Sequence, residues 1–268
     1  MKCIANETFN YAVSFLKRKL NLSNEKIAHK LGVSVATFHR WIHNQAKPQS
    51  KNLENLLELA EKENINFEQF QMSIMLLKII DNFDAYTFVH VQRVAVLSRI
   101  LAKESGLDYL TAFDAAYLHD LGKIFVDKNI LNKPEKLTDD EFEEMKKHTV
   151  VTQHLLENLL PGNKKISLLA GQHHEKINGR GYPYGLKDIS EESKIISVCD
   201  VFDALTSTRI YKKQFSVEEA FLEMKNIEKS GLDLQYINKL EEIISKNPNL
   251  LENLENENHK YLYTIERK

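Results

Sequence analysis

The chain has 268 residues, 43% of them hydrophobic and 28% charged, and its net charge is −2, which is typical of a globular protein. No apolar run approaches the roughly 20 residues that span a bilayer, and the N-terminus lacks a signal-peptide pattern. Two cysteines, Cys3 and Cys199, make no disulfide framework. We therefore expect a cytoplasmic protein without a membrane partner. Few glycines and prolines favour long helices over strands.

The first 66 residues form a basic segment. They carry ten Lys and Arg against six Asp and Glu, a net +4, which leaves −6 for the rest of the chain. Two short helices are predicted, one after Ser23 and one after Ser34, because serine often caps a helix N-terminus. The residues that have the spacing of a helix-turn-helix are Ala28, Gly32, Phe38 and Trp41.

This segment resembles the Cro/C1-type helix-turn-helix family over roughly its whole length. The resemblance implies that the second short helix enters the major groove of duplex DNA. The predicted nucleic-acid contacts on its outer face are Ser34, Thr37, His39, Arg40 and His43. The alternative is a small helical bundle that serves docking or a homodimer.

Helical spacing resumes after a polar junction at residues 64–71, with no strand pattern of useful length. Gly106 and Gly122 are predicted to end helices, and Thr138 with Glu141 to form a capping box. We predict an all-α fold in three parts: a helix-turn-helix domain at residues 1–66, a larger helical domain at 67–230 and a helical extension at 231–268. Residues 251–268 receive no structural prediction.

Histidine and aspartate recur on the apolar faces of the predicted helices. The residues in register with these faces are His90, His119, His173, His174, Asp200 and Asp203, whereas periodicity leaves His148 less clear. Burying an imidazole or a carboxylate without a partner is costly, so such a set should form pairs or bind a cation. The alternative is that each histidine separately donates a hydrogen bond to a backbone carbonyl. This alternative becomes less favoured as more helices each contribute a histidine or aspartate to the set.

The residue types in this set narrow the choice of metal. Five imidazoles and two carboxylates without a thiolate favour iron or manganese, and zinc less. Asp120 directly follows His119 in the sequence. With Asp120 and Asp200 as the carboxylates, seven ligands exceed the needs of one catalytic ion, so two ions sharing Asp120 are the economical arrangement. Downstream, Arg209 and Lys212 lie one helical turn apart and suit a phosphate clamp, although such a pair alone is more often an exposed face.

Residues 74–230 resemble the HD-GYP family of metal-dependent cyclic dinucleotide phosphodiesterases. The matching pieces are residues 84–93, 119–123, His148, 173–175 with 179–183, and 200–207. The resemblance implies an HD-type helical bundle with Asp120 bridging two ions. The implied metal ligands are His90, His119, Asp120, His148, His173, His174 and Asp200. Lys123 and Asp120 are the implied catalytic residues. The implied substrate-binding residues are Lys123, Gly181, Tyr182, Asp203, Arg209 and Lys212.

The implied function is hydrolysis of cyclic di-GMP to linear pGpG, GMP or both, in bacterial signalling, with the helix-turn-helix directing the enzyme to DNA or a partner. Some family members have a third-metal glutamate where this chain has Tyr86, so we expect two ions; Asn178 replaces the family's usual aspartate. Two alternatives stay open. One is a transcription regulator that senses a cyclic dinucleotide with little turnover, and the other is a phosphohydrolase of another nucleotide.

Overall fold

The computed structural model describes residues 4–43, 45–46, 48–63, 84–207, 215–226 and 231–252, and the single residues 65, 72, 75, 76, 79 and 254. Within these residues the secondary structure is helical and contains no strand, which confirms the all-α prediction. Contacts divide the chain into two compact units, Met1–Ile79 and Ile80–Lys268. In the described part, no helix is long and apolar enough to cross a membrane.

The described part of the first unit consists of α1 (Ile4–Leu20), α2 (Asn24–Lys30), α3 (Val35–Ile42) and α4 (Ser50–Lys62). Ser23 and Ser34 cap α2 and α3 as predicted, since their side chains accept the backbone N–H groups of Lys26 and Thr37. These bonds satisfy amide donors that a helix start otherwise leaves unpaired.

Aromatic contacts fix α3 within this unit. Phe9 of α1 contacts Phe38 and Trp41 edge-on, with ring centroids 6.5 and 5.6 Å apart. Gly32 makes the turn between α2 and α3 with a φ of +68°, which favours glycine. The outer face of α3 stays open. Of the predicted nucleic-acid contacts, Thr37 is partly buried and the exposed ones are Ser34, His39, Arg40 and His43.

The second unit contains α5 (Ala85–Glu104), α6 (Tyr109–Leu118), a 3₁₀ helix (Leu121–Phe125), α7 (Lys128–Leu131), α8 (Asp139–Leu159), α9 (Lys164–Gly171), α10 (Glu191–Thr206), α11 (Val217–Met224) and α12 (Leu234–Lys246). The predicted capping box of Thr138 and Glu141 begins α8. Gly106 follows the end of α5 with a φ of +71°, as predicted. Gly122 lies inside the 3₁₀ helix and does not end α6, which stops at Leu118.

Packing of small residues brings these helices together around one centre. Helix α5 packs against α6 and α10, and α8 packs against α9 and the 3₁₀ helix. Ala112, Ala115 and Ala116 on α6 are fully buried, and their small side chains let neighbouring backbone approach. The fold therefore gathers residues that lie more than one hundred positions apart in sequence.

Candidate metal centre

All the residues that the sequence predicts as metal ligands converge within the second unit. Their ligand atoms form two groups, each within 4.8 Å: a first triad of His90, His119 and Asp120, and a second triad of His148, His173 and His174. Five chain segments contribute, since His90 lies on α5, the His119–Asp120 pair follows α6, His148 lies on α8, the last two histidines follow α9, and Asp200 lies on α10. Apart from the partly buried His174, these side chains are buried.

The Asp120 carboxylate lies between the two triads. Its Oδ2 atom is 3.7 Å from His90 Nε2 and 3.4 Å from His119 Nε2. Its Oδ1 atom is 3.4 Å from His148 Nε2 and 3.9 Å from His173 Nε2. One carboxylate therefore presents a different oxygen to each group of imidazoles.

Asp200 spans the same gap from the opposite side. Its Oδ1 atom lies 3.1 Å from His90 Nε2 and 3.8 Å from His119 Nε2. Its Oδ2 atom lies 3.6 Å from His174 Nδ1. Because both carboxylates face both sides, the centre combines nitrogen and oxygen donors on each of its halves.

For four of the five histidines, a hydrogen bond fixes which ring nitrogen faces the centre. The Nδ1–H groups of His119, His148 and His173 donate to the carbonyl three residues earlier at 2.7, 2.7 and 2.6 Å. His90 Nδ1–H donates to Asp203 Oδ2 at 2.8 Å. The Nε2 lone pairs are thereby left for a ligand, as in metal-binding histidines whose other nitrogen is held by an outer partner.

Two buried atoms at the centre lack a hydrogen-bond partner, His119 Nε2 and Asp120 Oδ1. An unsatisfied buried acceptor is costly, and cations bound at the two triads would satisfy both atoms. Imidazole and carboxylate donors suit divalent transition ions. The residues present therefore fit a metal centre.

The two triads differ in their protonation. Burial lowers the pKa of His90, but its hydrogen bonds to Asp200 and Asp203 outweigh that effect and raise the pKa to about 9. Burial lowers the pKa of His148 to about 4 and those of His173 and His174 well below the usual value. The second triad is therefore neutral near pH 7, whereas His90 carries a proton when no cation is present.

Lys123 contacts the same carboxylate that lies between the triads. Its Nζ atom is 2.6 Å from Asp120 Oδ2, and about a fifth of its side chain remains exposed. Burial raises the pKa of Asp120, but its interactions with the neighbouring His119 and Lys123 outweigh this and hold that pKa well below its usual range. Lys123 thus brings a cation to the edge of the buried cluster.

Gly122 lets the two halves of the centre meet. A Cβ atom at this position would lie 2.1 Å from the carbonyl oxygen of His148, so only glycine allows the 3₁₀ helix to pack directly on α8. Thr152 joins the same contact: its Oγ1 accepts the Gly122 N–H at 2.8 Å and donates to the His119 carbonyl at 3.0 Å. Neither role is predictable from periodicity, because both depend on a contact between distant segments.

Comparison with known proteins agrees with this geometry, since residues 75–235 match the family model of the HD domain. The chain belongs to the HD domain family. It is 36% identical over 229 residues to a cyclic di-GMP phosphodiesterase of Thermotoga maritima. That alignment covers 81% of this chain and 61% of the relative. It is 37% identical over 161 residues to the 3′3′-cGAMP-specific phosphodiesterase 3 of Vibrio cholerae, covering 58% of this chain and 35% of the relative. This chain thus spans less than two thirds of either relative.

A solved structure shares the fold of this HD domain protein. It is Bd1817, a HDG"Y"P protein from Bdellovibrio bacteriovorus, with a TM-score of 0.51 and 20% sequence identity. The alignment covers 89% of this chain and 69% of that chain. At this level of identity the likeness concerns the fold, and it agrees with the helical bundle described above.

The loop after the second triad folds back onto the HD domain. Glu175 is fully buried, and its two carboxylate oxygens accept the backbone N–H groups of Tyr184 at 2.7 Å and Leu186 at 2.8 Å. A Cβ atom on Gly181 would lie 2.3 Å from the Lys176 nitrogen, so the loop needs glycine there. Glu175 belongs to the matching piece at residues 173–175, but no role was predicted for it from the sequence.

Apart from Lys123, described above, the predicted substrate-binding residues fall into three groups. Gly181 and Tyr182 lie beside the centre, with the Tyr182 ring centroid 4.6 Å from that of His174. Asp203 lies behind His90, where its carboxylate is fully buried and is also contacted by Arg93 Nε at 2.6 Å and Ser207 Oγ at 2.9 Å. This position differs from the predicted substrate contact. The remaining two, Arg209 and Lys212, lie outside the described residues.

Proposed function

We propose that this chain is an HD-GYP-type phosphodiesterase that hydrolyses a cyclic dinucleotide, foremost cyclic di-GMP, at a two-metal site. The observation that carries the proposal is the Asp120 carboxylate with a histidine group on each oxygen and Lys123 on one of them. The relatives named for cyclic di-GMP and 3′3′-cGAMP support this substrate class.

The donor set supports one ion on each side of Asp120. The first triad with Asp200 would hold one ion, and the second triad with the other oxygen of Asp120 would hold its neighbour. Iron or manganese suits these nitrogen and oxygen donors better than zinc, which favours thiolates and four-coordinate sites. Bound there, two such ions would supply a hydroxide nucleophile and polarise the phosphoryl group.

The chain's own residues bind and orient the substrate. Lys123, partly exposed at the edge of the cluster, would donate to a phosphoryl oxygen and stabilise the negative charge that develops there. Gly181 and Tyr182 would form the wall of the site on the side of the second triad. Arg209 and Lys212 are proposed to contact the substrate phosphates, from their spacing in the sequence and from the family resemblance.

Asp203 would act through His90 and not on the substrate. Its carboxylate already accepts hydrogen bonds from His90 and Ser207 and forms an ion pair with Arg93, and its side chain is wholly buried. Such an outer partner fixes the ring orientation of a ligating histidine and raises its basicity. The prediction of a direct substrate contact is replaced by this positioning role.

Metal analysis combined with turnover tests the proposal. Protein purified without oxygen and loaded with iron or manganese is assayed with cyclic di-GMP and 3′3′-cGAMP, and chromatography separates pGpG from GMP. We expect two ions per chain and rapid product formation. Two ions with tight nucleotide binding but negligible turnover would instead favour a sensor, and turnover of unrelated nucleotides alone would favour the broader phosphohydrolase.

A second function, DNA binding by a Cro/C1-type helix-turn-helix, is favoured by the first unit. Helix α3 buries Phe38 and Trp41 while its opposite face exposes His39 and Arg40. Because contacts to phosphates release counterions, duplex binding should weaken steeply as salt rises. Fluorescence anisotropy over a salt series checks this for the wild type and Arg40→Ala. Absent or salt-independent binding would leave the unit a docking or dimerisation module.

A further inference from the structure

Two aromatic side chains, Tyr182 and Phe142, connect the second triad with the surface of the HD domain. The Tyr182 ring lies 4.6 Å from that of His174 and 6.5 Å from that of His148, measured between centroids. Phe142 of α8 meets Tyr182 edge-on, with centroids 6.1 Å apart. Phe142 is 46% exposed, so part of its ring is open to a ligand.

Lys146 lies close to both aromatic rings. Lys146 lies one helical turn after Phe142, and its Nζ atom is 5.2 Å from the Phe142 centroid and 5.9 Å from the Tyr182 centroid. Lys146 also pairs with Glu143, whose side chain is largely exposed. Phe142, Lys146 and Tyr182 therefore form one surface, here named the aromatic platform, that combines aromatic rings with a hydrogen-bond donor.

We propose that Phe142 and Lys146 form the subsite for a guanine base of the substrate. The base would stack on Phe142, while the Lys146 ammonium donates to the guanine O6 and N7 atoms. This proposal rests on the phosphodiesterase function above and adds which side chains recognise the base. A nucleotide carries its base one ribose away from its phosphate, which agrees with the order of groups from the triads through Tyr182 to Phe142.

The two side chains have different consequences for specificity. Stacking on an aromatic ring is tolerant of sequence, because every base has a π-face. A lysine donor is selective, because guanine offers acceptors at both O6 and N7, whereas adenine carries an amino donor at the position of O6. Phe142 should therefore set affinity for purines in general, and Lys146 should set the preference for guanine.

A similar pair elsewhere in the unit supplies the control. Lys103 Nζ lies 5.9 Å from the centroid of the exposed Tyr109 ring. Tyr109 begins α6, whereas His119 follows its end, so the two are about 15 Å apart along the helix. Tyr109→Ala removes an exposed aromatic ring under a lysine without touching the centre.

Direct binding tests the subsite independently of catalysis. Calorimetry on the full chain loaded with manganese compares GMP, AMP and ribose 5-phosphate. Wild type should bind GMP roughly 5- to 150-fold more tightly than ribose 5-phosphate, the range for loss of one stacked base. Phe142→Ala should remove most of this difference in affinity, and Phe142→Tyr should keep it. Lys146→Met should lower the affinity for GMP more than the affinity for AMP. Equal binding of GMP and ribose 5-phosphate by wild type would overturn the proposal.

Turnover then separates this proposal from the proposed function. Phe142→Ala should raise KM for cyclic di-GMP by a similar factor and leave kcat nearly unchanged, while Tyr109→Ala changes neither, with circular dichroism confirming that each variant is folded. An unchanged KM in Phe142→Ala would refute the subsite and leave the phosphodiesterase standing. Tight, Phe142-dependent GMP binding without any cyclic dinucleotide turnover would refute the phosphodiesterase and leave the base subsite standing.

Discussion

The two triads contain similar ligands in different surroundings. In the first triad His90 is hydrogen-bonded to Asp203 and lies 3.1 Å from Asp200, so carboxylates surround it. In the second triad His148 and His173 are anchored on backbone carbonyls. The first is therefore an anionic site that holds a proton until a cation replaces it, whereas the second is a neutral site prepared by burial. Variants can weaken one half of the centre or both.

Asp120→Ala should have the largest effect, because it removes the one carboxylate that faces both triads. The loss in kcat should exceed the roughly 10²–10³-fold cost of removing a single transition-state donor. Metal content should fall at both sites, which plasma emission spectrometry measures. The first unit should stay folded, since Asp120 lies in the second. An Asp120→Ala protein that retains two ions and full turnover would refute the bridging assignment.

Gly122→Ala should damage the junction between the triads. Its Cβ would collide with the His148 carbonyl at 2.1 Å, so α8 must shift away from the 3₁₀ helix. A displacement of about 1 Å at a catalytic centre can cost about 10²-fold in rate, and overpacking costs about 1–3 kcal/mol of stability. Activity assays and thermal unfolding measure both effects.

Gly162→Ala is the matched control, because a Cβ at that position meets nothing within 4 Å and Gly162 has no positive φ. It should leave metal content and turnover at wild-type levels. If Gly122→Ala behaves as mildly as this control, the close contact between the 3₁₀ helix and α8 is not required for the centre.

The histidines were predictable from sequence, whereas the groups that hold them were not. His90 and His119 fall in register with apolar helix faces, and the spacing of the matching motifs points to the remaining ligands. The close approach at Gly122 and the Thr152 bridge depend on contacts between α8 and the 3₁₀ helix, which no local pattern encodes. Asp203 shares the helix face of Asp200, and only the position of His90 Nδ1 distinguishes their roles.

Asp203→Asn should weaken the first triad alone. The amide can still contact His90, but it loses the negative charge that orients the ring and raises its basicity. Loss of such an outer partner typically costs 10–100-fold in metal affinity. Competition with a chelator should show that one ion per chain is bound more weakly than in the wild type, while the other is bound with unchanged affinity. Equal weakening of both ions would mean that the two halves of the centre do not act separately.

We also predict a pH dependence of metal affinity that differs between the two halves of the centre. The raised pKa of His90, about 9, means that a cation entering the first triad below that pH must displace a proton. Affinity there should fall about tenfold for each unit that the pH decreases between about 8.5 and 6.5. His148, with its pKa lowered to about 4, has no proton to lose in this window, so the second triad should bind almost independently of pH. The same shift stabilises the metal-free fold below the unfolded pKa of His90, about 6.5, and this stability is lost as the pH rises through about 9.

Metal titrations between about pH 6.5 and 8.5 measure how the affinity of each triad changes with pH. Asp203→Asn should flatten the first slope, because it removes one of the two carboxylates that retain the proton on His90. Parallel slopes for the two ions, or a slope that survives in Asp203→Asn, would show that the carboxylates around His90 do not set the difference between the triads.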